Sequence, residues 1–296
     1  MQKPSRHWVG NGFHVIPVFA QLAFTKELSP WLMFDYAAPK EFAPTTEKRG
    51  VGWHPHRGFE TITIAFQGEV EHSDSTNNQG VIGPGDVQWM TAGRGIVHQE
   101  FHSTNFARSG GTFEMAQLWL NLPAKHKMER PRYQPILFDG IPTVTLEPAP
   151  PAEGEPECEA GEGGSARIIA GELHGVRGPA ASFSPVNLWE LHLPSADTWV
   201  VVPVPDGHNC ILFVRRGSLK VGGVDDEKVM FTQDTATMDR RGGLLRVSAA
   251  EPDTRLLVLG GEPIDEPIKQ QGPFVMNTAA ELVQANEDFR SGKFGG

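Results

Sequence analysis

Residues 52–72 read GWHPHRGFETITIAFQGEVEH. From Phe59 the stretch alternates threonine with isoleucine between two glycines, Gly58 and Gly68. That period of two, in β-branched residues bounded by turn formers, predicts a strand. Just ahead of it stand His54 and His56. Strand geometry sends residues i and i+2 to the same face, so the two imidazoles project together.

Further β-like runs recur outward from this stretch. GFHVIPVF, DVQWMTAG, GIVHQEFH, FEMAQLWLNL and VTLEP lie in the first half, and SARIIAGELHGV, NLWELHL, TWVVVPV, NCILFVRRGSLKVGG and TRLLVLGG in the second. Their even spacing reads as sandwiches or barrels. With 296 residues, 33 glycines and 24 prolines the chain fits about two turn-rich β domains. The only clear change of period is near the end, where Thr278 and Glu281 form a capping-box pattern and Leu282, Ala285 and Phe289 share a helical face. Residues 147–165, EPAPPAEGEPECEAGEGGS, hold almost no large apolar side chain and read as an exposed acidic loop.

Composition narrows the function. A formal charge of −10 without a basic cluster argues against direct nucleic-acid or anionic-membrane binding. No run approaches a membrane span, and the N-terminus lacks an apolar signal core, so a cytoplasmic protein is expected. Two cysteines, Cys158 and Cys210, make neither a disulfide framework nor a zinc knuckle. G-x-S-x-G, P-loop and dinucleotide-binding patterns are absent.

What stands out instead is a second pair at the same spacing, His98 and Glu100 in GRGIVHQEFH. Two strands that each give two donors on one face can converge on a metal. Three imidazoles and a carboxylate suit Fe(II), Mn(II), Ni(II), Co(II), Cu(II) or Zn(II). Glu60 shares the parity of His54 and His56 and is an alternative to Glu100, unless a bulge at Gly58 breaks that parity. His102 continues the His98 parity and is expected beyond the pocket. His72, His174, His192 and His208 are read as solvated or structural, with His72 exposed. Gln117 is either a second-layer hydrogen-bond donor or a strand-exterior residue. Phe59, Met90 and Phe101 are candidate apolar walls.

HPHRGFET, PGDVQWMTAGRGIVHQE, LWLNLPAKHKM and the late GPFVMNT followed by DFR resemble the pirin family of bicupins, from about Val9 to Phe294. The resemblance implies an all-β bicupin: two facing antiparallel β-barrel (jelly-roll) domains with a short C-terminal helix. The expected division is 1–145 for a metal-binding cupin, 146–166 for the acidic loop and 167–296 for a metal-free cupin with the terminal helix. It also implies His54, His56, His98 and Glu100 as ligands, with Glu60 set aside. One divalent transition metal per chain is expected, iron first, since the second half has neither H-x-H nor H-x-E. Two functions follow from the family: a dioxygenase opening a flavonol such as quercetin with O2, with Glu100 taking the hydroxyl proton, or a non-catalytic redox-sensing regulator that binds a protein partner.

Overall fold

The computed structural model describes residues 5–20, 27–150, 161–222 and 227–295. Cys158 and the centre of the acidic loop, residues 151–160, lie outside them. The chain divides into two compact units. One contains Pro30–Phe138, the N-terminal strands and the stretch that begins at Ile264; the other is built mainly between Asp139 and Pro263.

The first unit runs β1 (His7–Val9), β2 (Phe13–Phe19), β3 (Trp31–Phe42), β4 (Gly50–His56), β5 (Phe59–Gln67), β6 (Val70–Asp74), β7 (Gln79–Ile82), β8 (Val87–Thr91), β9 (Ile96–His102), β10 (Gly111–Asn121) and β11 (Arg132–Ile136). These form a seven-stranded sheet in the order β1-β2-β3-β10-β5-β8-β11 and a four-stranded sheet in the order β4-β9-β6-β7. Phe13, Val15, Ala37, Ala65, Val70, Ile82, Phe113 and Met115 come from both sheets and fill one end of the interior.

The strand predicted from Phe59 is β5, and both its faces are buried as far as Ala65. Between β4 and β5 the chain turns a corner at Gly58, where φ is +88°. A Cβ there would lie 2.0 Å from the Val275 carbonyl oxygen, so the turn needs glycine. Lys127 braces this corner from inside. Its ammonium donates to the carbonyls of Gly58 (2.8 Å) and Val275 (3.0 Å) and to Asn121 Oδ1 (2.8 Å). Burial lowers its pKa to about 7.

The second unit also has two main sheets. Six strands pair in the order Thr143–Leu146, Gly164–Ala170, Val186–Leu193, Thr254–Gly261, Asn209–Arg216, Thr235–Thr237. Four more pair in the order Trp199–Pro203, Leu244–Ala249, Ser218–Val221, Lys228–Phe231. Trp189, Leu191, Leu212, Val214, Leu256 and Val258 lie at the centre of an apolar core.

The terminal helix spans Ala279–Arg290, and its capping box is formed by Thr278 and Glu281. Leu282 and Ala285 are buried, whereas Phe289 is 38% exposed at the edge of the expected face. The sequence division groups this helix with the C-terminal half, and in its packing it sits with the first compact unit. The reason is physical. Asp288 meets the buried Arg57 of the HPHRG motif at 2.9 Å, and Phe274, Met276, Leu282, Ala285 and Phe294 form one apolar cluster against Val97.

Candidate metal centre

Strands β4, β9 and β6 of the smaller sheet bring the donors together. In the ladder His54 lies opposite His98 and His56 opposite Ile96, with a register shift between Val51 and His54. The ring centroids of His54, His56 and His98 are 4.2–4.9 Å apart. One nitrogen from each lies within 4.8 Å of the others, and in a second, overlapping group of His72, His98 and Glu100 one imidazole nitrogen from each histidine and a carboxylate oxygen lie equally close.

Hydrogen bonding decides which nitrogen each ring presents, because a neutral imidazole donates from one and accepts at the other. His54 Nδ1 is 2.8 Å from the Gly52 carbonyl, which takes its proton and leaves Nε2 with a lone pair. His56 is hydrogen-bonded to the Pro273 backbone, and its buried Nδ1 has no partner. His98 approaches His72 through Nδ1 at 3.5 Å, and its buried Nε2 has no partner. Buried nitrogens of this kind are rarely left unmatched. Together with a carboxylate they suit a divalent transition metal. Burial, reinforced by the neighbouring imidazoles, holds His56 and His98 well below the usual imidazole pKa and keeps their lone pairs available.

Glu100 is held by three donors. Thr63 Oγ1 and Gln88 Nε2 each reach Oε1 at 3.1 Å, and Gln117 Nε2 reaches Oε2 at 3.3 Å. Gln117 therefore faces inward and supports the carboxylate. Glu60 is elsewhere. Past the Gly58 corner the parity is broken, and Glu60 lies on the face of β5 opposite Thr61 and Thr63. It is fully buried, accepts from Thr91 Oγ1 at 2.6 Å, and burial pushes it up to about 7. It joins neither donor group.

His72 corrects the sequence reading: it is fully buried, not exposed. Its Nε2 meets Asp74 Oδ2 at 3.1 Å, its ring stacks on Tyr133 with centroids 4.8 Å apart, and Gln88 Nε2 approaches its Nδ1 at 3.3 Å. Burial alone would raise the Asp74 carboxyl, but hydrogen bonds from His72, Thr76 and Asn78 bring it down to about 2. With the Nε2 proton on the Asp74 side, His72 Nδ1 must accept. Its one lone pair is shared by Gln88 Nε2–H and His98 Nδ1–H, and a proton on His98 Nδ1 leaves the His98 Nε2 lone pair for the donor cluster. A signal for this was present in the sequence: His72-x-Asp74 repeats the spacing of His54-x-His56 and His98-x-Glu100.

His54, His56, Glu100 and Gln117 line a cavity of about 650 Å3, counting its open mouth. Its apolar walls are Val9, Phe13, Val15, Met33, Val51, Met115 and Trp119. The expected walls are displaced from it. Phe59 packs on His56 and Trp119, Met90 joins Ala92 and Ile96, and Phe101 lies under the Lys48 ammonium. His102 is buried among Phe13, Phe42, Phe106 and Phe113, bonded to the Gly12 carbonyl. His192 pairs with Asp253, and His174 is exposed. Among the described residues both donor groups fall in the first unit.

A family model described as Pirin matches residues 12–120, and one described as Pirin C-terminal cupin domain matches residues 188–295. The chain belongs to the pirin family. A Pseudomonas aeruginosa protein named "Putative quercetin 2,3-dioxygenase" is 49% identical over 290 residues, 98% of this chain and 95% of that protein. Human Pirin is 33% identical, covering 91% of this chain and 84% of the human protein. A crystal structure of quercetin 2,3-dioxygenase from Acinetobacter baumannii is 46% identical and superposes with a TM-score of 0.89, covering 99% of this chain and 96% of that one. This pirin is thus an all-β protein with two cupin domains, and its first domain carries a histidine and carboxylate site able to hold a metal.

Proposed function

We propose that this pirin is a metal-dependent dioxygenase that opens a flavonol such as quercetin with O2. The observation that carries the reading is a pair of donor groups sharing His98, one of His54, His56 and His98 and one of His72, His98 and Glu100, beside a cavity that His54, His56 and Glu100 line. The names of the relatives at 46–49% identity support it.

In this reading His54, His56, His98 and Glu100 hold one divalent transition metal, Fe(II) first among Mn, Ni, Co, Cu and Zn. Bound there, the ion supplies Lewis acidity and redox chemistry with O2. The chain's own residues do the rest. Glu100 accepts the proton of the substrate's 3-hydroxyl, and the Thr63, Gln88 and Gln117 donors hold its carboxylate in line for that transfer. The Asp74–His72 pair keeps His98 in one tautomer. Phe13, Met33, Met115 and Trp119 keep water from the reacting ring.

The test is aerobic incubation of protein loaded separately with Fe, Mn, Ni, Co or Cu. Bleaching of the flavonol absorbance with release of CO is the expected result. No turnover with any of them would replace the enzyme by a metal-dependent regulator that acts through a protein partner.

A further inference from the structure

Across the larger sheet of the first unit, cross-strand partners form rows on the inner face. One row is Asp35, Gln117, Thr63 and Gln88, on β3, β10, β5 and β8. It lies between a row of Met33, Trp119, Thr61 and Met90 and a row of Ala37, Met115 and Ala65. Three members of the polar row are engaged at the metal centre, because Gln117, Thr63 and Gln88 all donate to Glu100. The fourth, Asp35, is not. It lines the cavity, and no hydrogen-bond donor reaches its carboxylate among the described residues.

Two further polar atoms in the cavity are unmatched. Thr61 is 1% exposed and its Oγ1 has no partner. Gln117 spends its amide N–H groups on Glu100 and Thr63, which leaves its buried Oε1 without a donor. Turning that amide over would set its oxygen against the Glu100 carboxylate, so the assignment follows from electrostatics. Burial raises the Asp35 carboxyl to about 6, against a smaller opposing pull from His7. A carboxylate and an amide carbonyl ask for donors, and a hydroxyl can accept or donate. The surfaces beside them, Phe13, Met33 and Trp119, are apolar and in part planar.

We propose that Asp35, Thr61 and the Gln117 carbonyl form a hydroxyl-reading wall that selects phenolic ligands carrying hydroxyl groups beyond the one at the metal centre. This deepens the flavonol reading and rests on it for the choice of ligand. Asp35 accepts a phenolic O–H, Gln117 Oε1 accepts another or shares it, and Thr61 completes the contact.

The experiment is an anaerobic absorbance titration of the metal-loaded protein with quercetin and with 3-hydroxyflavone, which keeps the metal-binding hydroxyl and lacks the others. The wild type should favour quercetin. Asp35→Asn should lower the ratio of the two affinities by roughly tenfold or more, as expected for losing a hydrogen bond to a charged acceptor, and Thr61→Val by about threefold. Metal content and far-UV circular dichroism confirm that each variant is folded and loaded, and Thr61→Val serves if Asp35→Asn does not fold. An unchanged ratio in the loaded variants, or a wild type that does not distinguish the two flavonols, overturns the proposal. Aerobic assays separate the two readings. Tight, Asp35-dependent quercetin binding without bleaching removes the dioxygenase and leaves the wall. Bleaching with the same KM in Asp35→Asn removes the wall and leaves the dioxygenase.

Discussion

The two units build their interiors from the same kind of sheet and fill them differently. In the first, the row Asp35, Gln117, Thr63 and Gln88 crosses four strands with polar side chains only. In the second, the comparable row of Ile168, Trp189, Val258, Leu212 and Ala236 crosses five strands and is wholly apolar. The fold is therefore satisfied by apolar packing. Burying polar groups costs free energy unless each finds a partner. Three members of the polar row are held at the site by Glu100, and Gln88 by His72 as well.

The largest effect should come from the imidazoles. His54→Ala or His56→Ala removes one of the four proposed ligands, so metal affinity should fall by orders of magnitude while far-UV circular dichroism stays unchanged. Full metal retention in both variants would erase the contrast between the units. Glu100→Gln should likewise weaken metal retention and abolish turnover.

In the second unit the expected loss is of stability alone. Leu212→Ala leaves a cavity in the packed row and should cost about 2–5 kcal/mol in denaturant unfolding, with metal content unaltered. A loss of metal in this variant would show that the two interiors are not independent.

Asp74→Asn tests the buried tautomer chain. An amide in place of the carboxylate can donate to His72 Nε2, which moves the proton to Nδ1 and sets it against His98 Nδ1–H. Metal affinity, measured by chelator competition, should drop by roughly 10–100-fold, as for other partners of metal ligands. Nitrogen NMR shifts should report the changed His98 tautomer in metal-free protein. An unchanged tautomer would reduce His72 to packing.

The smallest effect concerns Glu60. Its folded pKa of about 7 lies above the ordinary 4.5. Between these values the unfolded chain releases a proton that the folded state keeps, so wild-type stability falls as pH rises through that window. Glu60→Gln removes this term. It should retain metal and match the wild type near pH 4. Its advantage should grow to about 1–2 kcal/mol above pH 7, allowing for relaxation around the buried carboxyl. An advantage that is the same at every pH would show that Glu60 is not buried as a proton-retaining group.

Sequence alone determined the β class, the strand from Phe59, the capped terminal helix and the two H-x-[HE] pairs, because each is a local pattern: a period of two, a capping box, a spacing of two residues. It also left Glu60 and Glu100 as equals on spacing, and the family motifs favoured Glu100. Only the tertiary structure decided the rest. Gly58 turns the chain so that Glu60 leaves the face that His54 and His56 occupy. Strand pairing 26 residues apart in sequence carries His72 to His98. The rows that place Asp35 beside Gln117, and Gln117 beside Thr63, join strands far apart in the chain. The terminal helix joins the first unit because Asp288 finds Arg57 across 231 residues. A single strand's pattern shows which residues share a face; which residues then meet is set by register and long-range pairing, and these exist only once the sheets are assembled.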